Sequence, residues 1–129
     1  MNEKYIILID DEDDLCVLFK YILNRLGHIA HIFNNGKKAI EEYAKDHSNV
    51  DMVITDLSMS DMTGIDVMNA ILAINPNEKI LIITGFIKKN IEHLVTSKNV
   101  SILNKPFEMH ELSDMVEDMI KCKKDKEKL

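Results

Sequence analysis

A chain of 129 residues can bury one respectable core but has no room for a second module of similar size. Its 46% hydrophobic and 29% charged residues describe a soluble globular fold, and a formal net charge of −6 argues against a nucleic-acid surface, which relies on clustered Lys and Arg. The longest apolar run near the start, Tyr5-Ile6-Ile7-Leu8-Ile9, is shorter than a signal-peptide core or a membrane span, so a cytoplasmic protein away from membranes is expected.

Apolar runs of strand length recur along the chain at Tyr5 to Ile9, Ile29 to Phe33, Met52 to Ile54, Ile80 to Ile83 and Val100 to Leu103. Each is nearly continuous rather than alternating, as a parallel strand covered by helices on both faces requires. Between them lie helical spacings. Leu15, Leu18, Phe19, Ile22 and Leu26 form the first stripe, ended by Gly27 as a C-terminal cap, and Asp13 or Asp14 is expected as its N-cap. The second helix is expected over Lys37 to about His47 and the third over Ile65 to about Ile74; Ile87, Ile91, Leu94 and Val95 mark a fourth. Leu112, Met115, Val116 and Met119 mark a fifth, after Pro106 has broken the preceding strand.

Alternation of this kind implies right-handed crossovers and a doubly wound (βα)5 α/β fold of the flavodoxin-like type, with a five-stranded parallel sheet in the order 2-1-3-4-5. Residues 1-122 are assigned to this domain and 123-129 to a Lys-rich C-terminal tail, read as a solvated helix end. No output module is expected. Two cysteines, Cys16 and Cys122, are too few for a disulfide scaffold and fit a reducing compartment. His28 and His31 fall on the presumed edge strand and read as edge polarity rather than zinc ligands.

Ligands bind such sheets outside the carboxyl ends of the strands. Those ends carry Asp10-Asp11, Asp56, Thr84 and Lys105. Three carboxylates crowded into one crevice repel each other, and a divalent cation is the natural remedy. Mg²⁺ suits a set of one or two carboxylates plus waters and a phosphate, whereas calcium needs more ligands than the sequence offers. With the metal and Lys105 flanking Asp56 and the Thr84 hydroxyl nearby, charge on a transferring phosphoryl group is offset from several sides. Asp56 is then the nucleophile and accepts the phosphoryl group as an acyl phosphate.

Asp10-Asp11, Asp56, Thr84 and Lys105-Pro106-Phe107 together resemble the signature of response-regulator receiver domains, of the chemotaxis-regulator or sporulation-phosphorelay single-domain kind. The segment Asp56 to Gly64 resembles that family's loop after the phosphoacceptor, and the likeness spans nearly the whole chain. The resemblance implies a signalling phosphoacceptor that takes its phosphoryl group from a phosphohistidine on a sensor histidine kinase or histidine phosphotransfer protein. It further implies a metal held by Asp11, Asp56 and the Ser58 backbone carbonyl with Asp10 outside, a phosphoryl group read by Thr84, Lys105 and the Gly85 amide, and a switch surface on helix 4, strand 5 and helix 5. The downstream target is unknown.

This sequence departs from the family pattern at two positions. Ser60 stands where the family often has Pro, which implies a less rigid loop. Ile102 replaces the usual Tyr or Phe of the docking surface, so a smaller or different conformational response is expected. Phe86, two beyond Thr84, is expected to shield the site from water, so slow loss of the phosphoryl group is expected. Two other readings compete. Asp11-Glu12-Asp13 mimics the Asp-x-Asp motif of haloacid-dehalogenase phosphatases, but Leu15 replaces the Thr or Val that should follow, and neither a later acidic pair nor a cap segment is present. A phosphorylation-independent binding module draws some support from Ile102, yet idle clustered carboxylates would only cost stability.

Overall fold

The computed structural model describes residues 3–85 and 91–127, with side chains as far as Lys121. Five parallel strands form one sheet in the order β2-β1-β3-β4-β5: β1 (Tyr5–Ile9), β2 (Ala30–Phe33), β3 (Val50–Asp56), β4 (Ile80–Thr84) and β5 (Val100–Asn104). Every residue of β1, β3 and β4 is buried, which explains why these runs lack a polar alternation. β2 lies at the edge with His31 exposed and stacked on Tyr5, ring centroids 4.0 Å apart.

Helix α1 (Asp13–Arg25) and the C-terminal helix (Met109–Glu127) cover one face, while α2 (Gly36–Asp46) and α3 (Gly64–Ile74) cover the other. Phe19, Ile22, Leu23, Leu112, Val116 and Ile120 meet Ile6, Leu8, Ile54 and Ile83 on the first face. Ala39, Tyr43, Val67, Met68 and Ile71 meet Ile7, Ile9, Val53 and Ile82 on the second. Each such aliphatic side chain taken out of water stabilises the fold by about 1.5–3 kcal/mol, so the sheet is held rigidly from both sides.

Local chemistry sets the helix ends. α1 closes in a Schellman arrangement: Gly27 has φ 89°, its N–H donates to the Asn24 carbonyl at 3.0 Å, and the His28 N–H donates to the Leu23 carbonyl at 2.9 Å. α2 starts at Asn35, whose side chain accepts from the Lys38 amide, and α3 at a Thr63/Asp66 capping box. The N-cap of α1, expected at Asp13 or Asp14, falls on Glu12, which makes no side-chain cap bond; the two aspartates occupy the first turn, where their charge suits the helix dipole.

Two apolar stripes need correction. Leu18 is exposed, and Cys16 and Leu23 are the buried residues of α1 that spacing alone left out. In the fourth helical segment, Ile87 lies outside the described residues, as does Phe86 before it. Beyond them Ile91 is followed by a single 3-10 turn, Glu92–Leu94, in which Leu94 is exposed while Ile91 and Val95 pack against the core. The C-terminal helix runs on through the start of the Lys-rich tail to Glu127. Among the described residues no helix is long and apolar enough to cross a membrane.

Candidate functional site

Register brings the strand ends level. Ile9 pairs with Thr55, Asp56 with Ile83, and Thr84 with Asn104, so Asp10, Asp56, Thr84 and Lys105 emerge along one edge of the sheet. The Asp10 amide donates to the Phe33 carbonyl at 3.1 Å and the Lys105 amide to the Thr84 carbonyl at 2.8 Å, which extends the ladder one residue past the strands and fixes where both side chains start. The Lys105–Pro106 peptide bond is cis.

The three aspartates meet. Asp10, Asp11 and Asp56 each offer a carboxylate oxygen, and these oxygens lie within 4.8 Å of one another. Asp10 and Asp56 are buried and Asp11 is exposed. Lys105 Nζ stands 3.5 Å from Asp56 Oδ1. The same oxygen accepts from the Leu57 amide at 3.0 Å, Asp10 Oδ1 accepts from the Glu12 amide at 2.9 Å, and Asp11 Oδ2 accepts from the Ser60 amide at 3.1 Å.

Burial dominates the electrostatics of the pocket. Burial pushes the Asp10 carboxyl up to about 6, with the Asp56 charge adding to the rise and the Glu12 amide opposing it. Asp56 is also raised by burial, in spite of the Lys105 ammonium beside it. Among the described residues, one lysine stands against three acids. An all-oxygen donor set with a surplus of negative charge fits a hard divalent cation, and Mg²⁺ in particular, which accepts a few carboxylates and completes its shell with water.

The loop after β3 closes tightly. Ser58 bridges Thr63, and the Gly64 amide donates to the Leu57 carbonyl at 2.8 Å. A Cβ on Gly64 would lie 2.7 Å from the Asp56 carbonyl oxygen, so only glycine admits this close return beside the carboxylate. Asp61 reaches across to α2, its two oxygens accepting from the Gly36 and Lys37 amides at 3.2 and 3.1 Å. Neither the steric demand at Gly64 nor the Asp61 clamp was assigned from the sequence, because both depend on backbone brought close by the fold.

The remaining positions are as follows. Thr84 is fully buried at the end of β4. Gly85 is exposed beyond it, with open space where a side chain would stand. Ile102, expected on a docking surface, is 8% exposed and forms part of the floor of a depression of about 260 Å³ shared with Glu92, Val95, Ser101 and Met115. A second depression, of about 280 Å³, is lined by Leu15, Leu18, Phe107 and Met109 together with Lys105.

A doubly wound α/β domain with an acidic pocket and a lysine at the carboxyl edge of its sheet defines a class of metal-assisted phosphoryl-handling proteins. Residues 6–117 match the family model of the response regulator receiver domain, and the chain belongs to that family. It is 29% identical over 119 residues to the response regulator receiver protein CpdR of Brucella abortus, covering 91% of this chain and 97% of that one. With the sporulation initiation phosphotransferase F of Bacillus subtilis it shares 27% identity over 126 residues, 95% of this chain and 98% of the relative. Among solved structures it resembles the response regulator TrrA of Thermotoga maritima in complex with Mg²⁺-BeF, at TM-score 0.78 and 26% identity over 90% of this chain and 98% of that one. The protein is thus a receiver domain of the two-component and phosphorelay type, a family of signalling phosphoacceptors that bind Mg²⁺ at an acidic pocket.

Proposed function

We propose that this chain accepts a phosphoryl group on Asp56 from the phosphohistidine of a sensor histidine kinase or histidine phosphotransfer protein. The observation that carries the reading is the setting of Asp56, with the Lys105 ammonium 3.5 Å away and the oxygens of Asp10 and Asp11 within 4.8 Å. An Asp56 oxygen attacks phosphorus, the P–N bond breaks, and its electron pair remains on the imidazole nitrogen, which takes a proton. The aspartate becomes an acyl phosphate.

Mg²⁺, when bound, offsets the charge of the two anions that must meet; Asp11, Asp56 and the Ser58 carbonyl would hold it, with Asp10 reaching it through water. Lys105 offsets charge on the opposite side, and the Thr84 hydroxyl and Gly85 amide hydrogen-bond the phosphoryl oxygens. Slow hydrolysis later clears the site. The apolar groove that Lys105 helps to line, together with Val17 at 69% and Tyr21 at 54% exposure on the same helix, offers a protein donor a docking surface beside the phosphoacceptor. The depression floored by Ile102, between the fourth helical segment and the C-terminal helix, is the surface for a downstream partner. A cytoplasmic location goes with this role.

The test is intact-mass measurement after incubation with Mg²⁺ and acetyl phosphate. Wild type should gain one phosphoryl adduct, and Asp56→Asn none; an adduct of equal yield on the variant overturns the assignment. Turnover of the donor without any adduct on wild type would instead favour a phosphatase.

A further inference from the structure

The loop that leaves β3 returns to the acidic pocket through its backbone. The Ser60 N–H donates to Asp11 Oδ2 at 3.1 Å, across 49 positions of sequence. That amide is positioned by anchors independent of Asp11. On one side the Asp61 carboxylate grips the Gly36 and Lys37 amides, and around it Ser58 bridges Thr63 while the Gly64 amide closes on the Leu57 carbonyl. These backbone contacts fix the frame from which Ser60 reaches out.

Asp11 is exposed, and an exposed aspartate is free to rotate away from two neighbouring carboxylates that repel it. Instead its oxygen lies within 4.8 Å of those of Asp10 and Asp56. A charge-assisted bond from the Ser60 amide holds it there and offsets part of its charge. We propose that the Ser60 backbone amide is a positioning group for the Mg²⁺ site, keeping Asp11 in the rotamer that can serve as a ligand and so setting the Mg²⁺ affinity of this chain. The inference rests on the pocket being the Mg²⁺ site argued above. Hydrogen bonds to a ligating carboxylate commonly support metal affinity by 10–100-fold, and because this pair is open to water the effect belongs at or below the lower end of that range.

Proline is the one residue that removes the N–H itself. Calorimetric titration of Mg²⁺ into metal-depleted protein should give Ser60→Pro an affinity weaker than wild type by about 3–10-fold, while Ser60→Ala, which loses the hydroxyl and keeps the amide, stays within about twofold. Equal or tighter binding by Ser60→Pro overturns the inference, and so does an Ser60→Ala loss as large as that of Ser60→Pro, which would move the role to the hydroxyl. Wild type that takes no Mg²⁺ overturns the reading of the pocket and the inference with it. Should Ser60→Pro fail to fold, amide hydrogen exchange in metal-free protein decides: the Ser60 amide should exchange about threefold faster or more in Asp11→Ala than in wild type, with the Gly64 amide unchanged. Equal rates at Ser60 overturn the contact on which everything here depends.

Discussion

At the amino-terminal edge of the sheet Glu78 is wholly buried, yet both of its oxygens are met: Oε1 accepts from the Tyr43 hydroxyl at 2.8 Å and Oε2 from the Lys79 amide at 2.9 Å. Burial first and the Glu78 charge second push the Tyr43 hydroxyl well above its ordinary range, so it remains a donor. At the carboxyl edge, Asp10 and Asp56 are buried to a similar degree but share a crevice with a third acid and one lysine, and the carboxyls of both are raised. The first arrangement ties α2 to the start of β4 and completes itself. The second, among the described residues, sets three acids against one lysine and gains from taking up positive charge, which distinguishes a structural acid from a functional one.

That contrast breaks if substitutions at the two edges have the same consequences. Lys105→Ala should slow phosphoryl uptake from acetyl phosphate by about 100-fold, the scale for removing one preorganised charge-stabilising group, an effect that outweighs its cost in stability. Tyr43→Phe should do the reverse. It leaves the buried Glu78 one donor short and should lower unfolding free energy by about 2 kcal/mol in urea titrations, with uptake within about twofold of wild type. A Tyr43→Phe protein as stable as wild type but slow to take phosphate would mean the two edges are coupled rather than separate.

The sheet was legible because continuous apolar runs admit few readings, and five alternating units leave one common topology. β3 extends past the expected Met52 to Ile54 because Asp51, Thr55 and Asp56 are polar residues buried within it, which a hydrophobic pattern cannot include. The acids and the lysine were legible because the ligand edge of such a sheet is fixed by topology. Contacts made through main-chain amides were not. Ser60 to Asp11 and Asp61 to α2 join positions 49 and 25 residues apart, and an amide carries no residue-type signature. Periodicity located each helical stripe but not its edges, so Leu18 and Leu94 turned outward where spacing placed them inward.

The finest test of the contrast lies in pH. With the folded carboxyl of Asp10 raised from 3.8 to about 6, the folded state holds a proton between those values that the unfolded chain has released. Stability therefore falls as pH rises through that window in metal-free protein and is flat above it, as far as this group is concerned. Asp10→Asn keeps an oxygen to accept from the Glu12 amide but cannot ionise. At pH 7 without metal it should be more stable than wild type by about 1 kcal/mol, below the ceiling of about 3 kcal/mol that the full shift sets, because water reaching the open crevice reduces the cost of burying the charge. Near pH 4 the difference should vanish, since the wild-type carboxyl is then neutral in the folded state too. Adding Mg²⁺ at pH 7 should narrow it, because the cation stabilises both proteins but relieves a charge at position 10 only in wild type. Parallel denaturation curves of the two proteins from pH 4 to 7 measure this directly; a constant difference across the range would mean that Asp10 is as well satisfied as Glu78 and that the crevice carries no electrostatic strain for a cation to relieve.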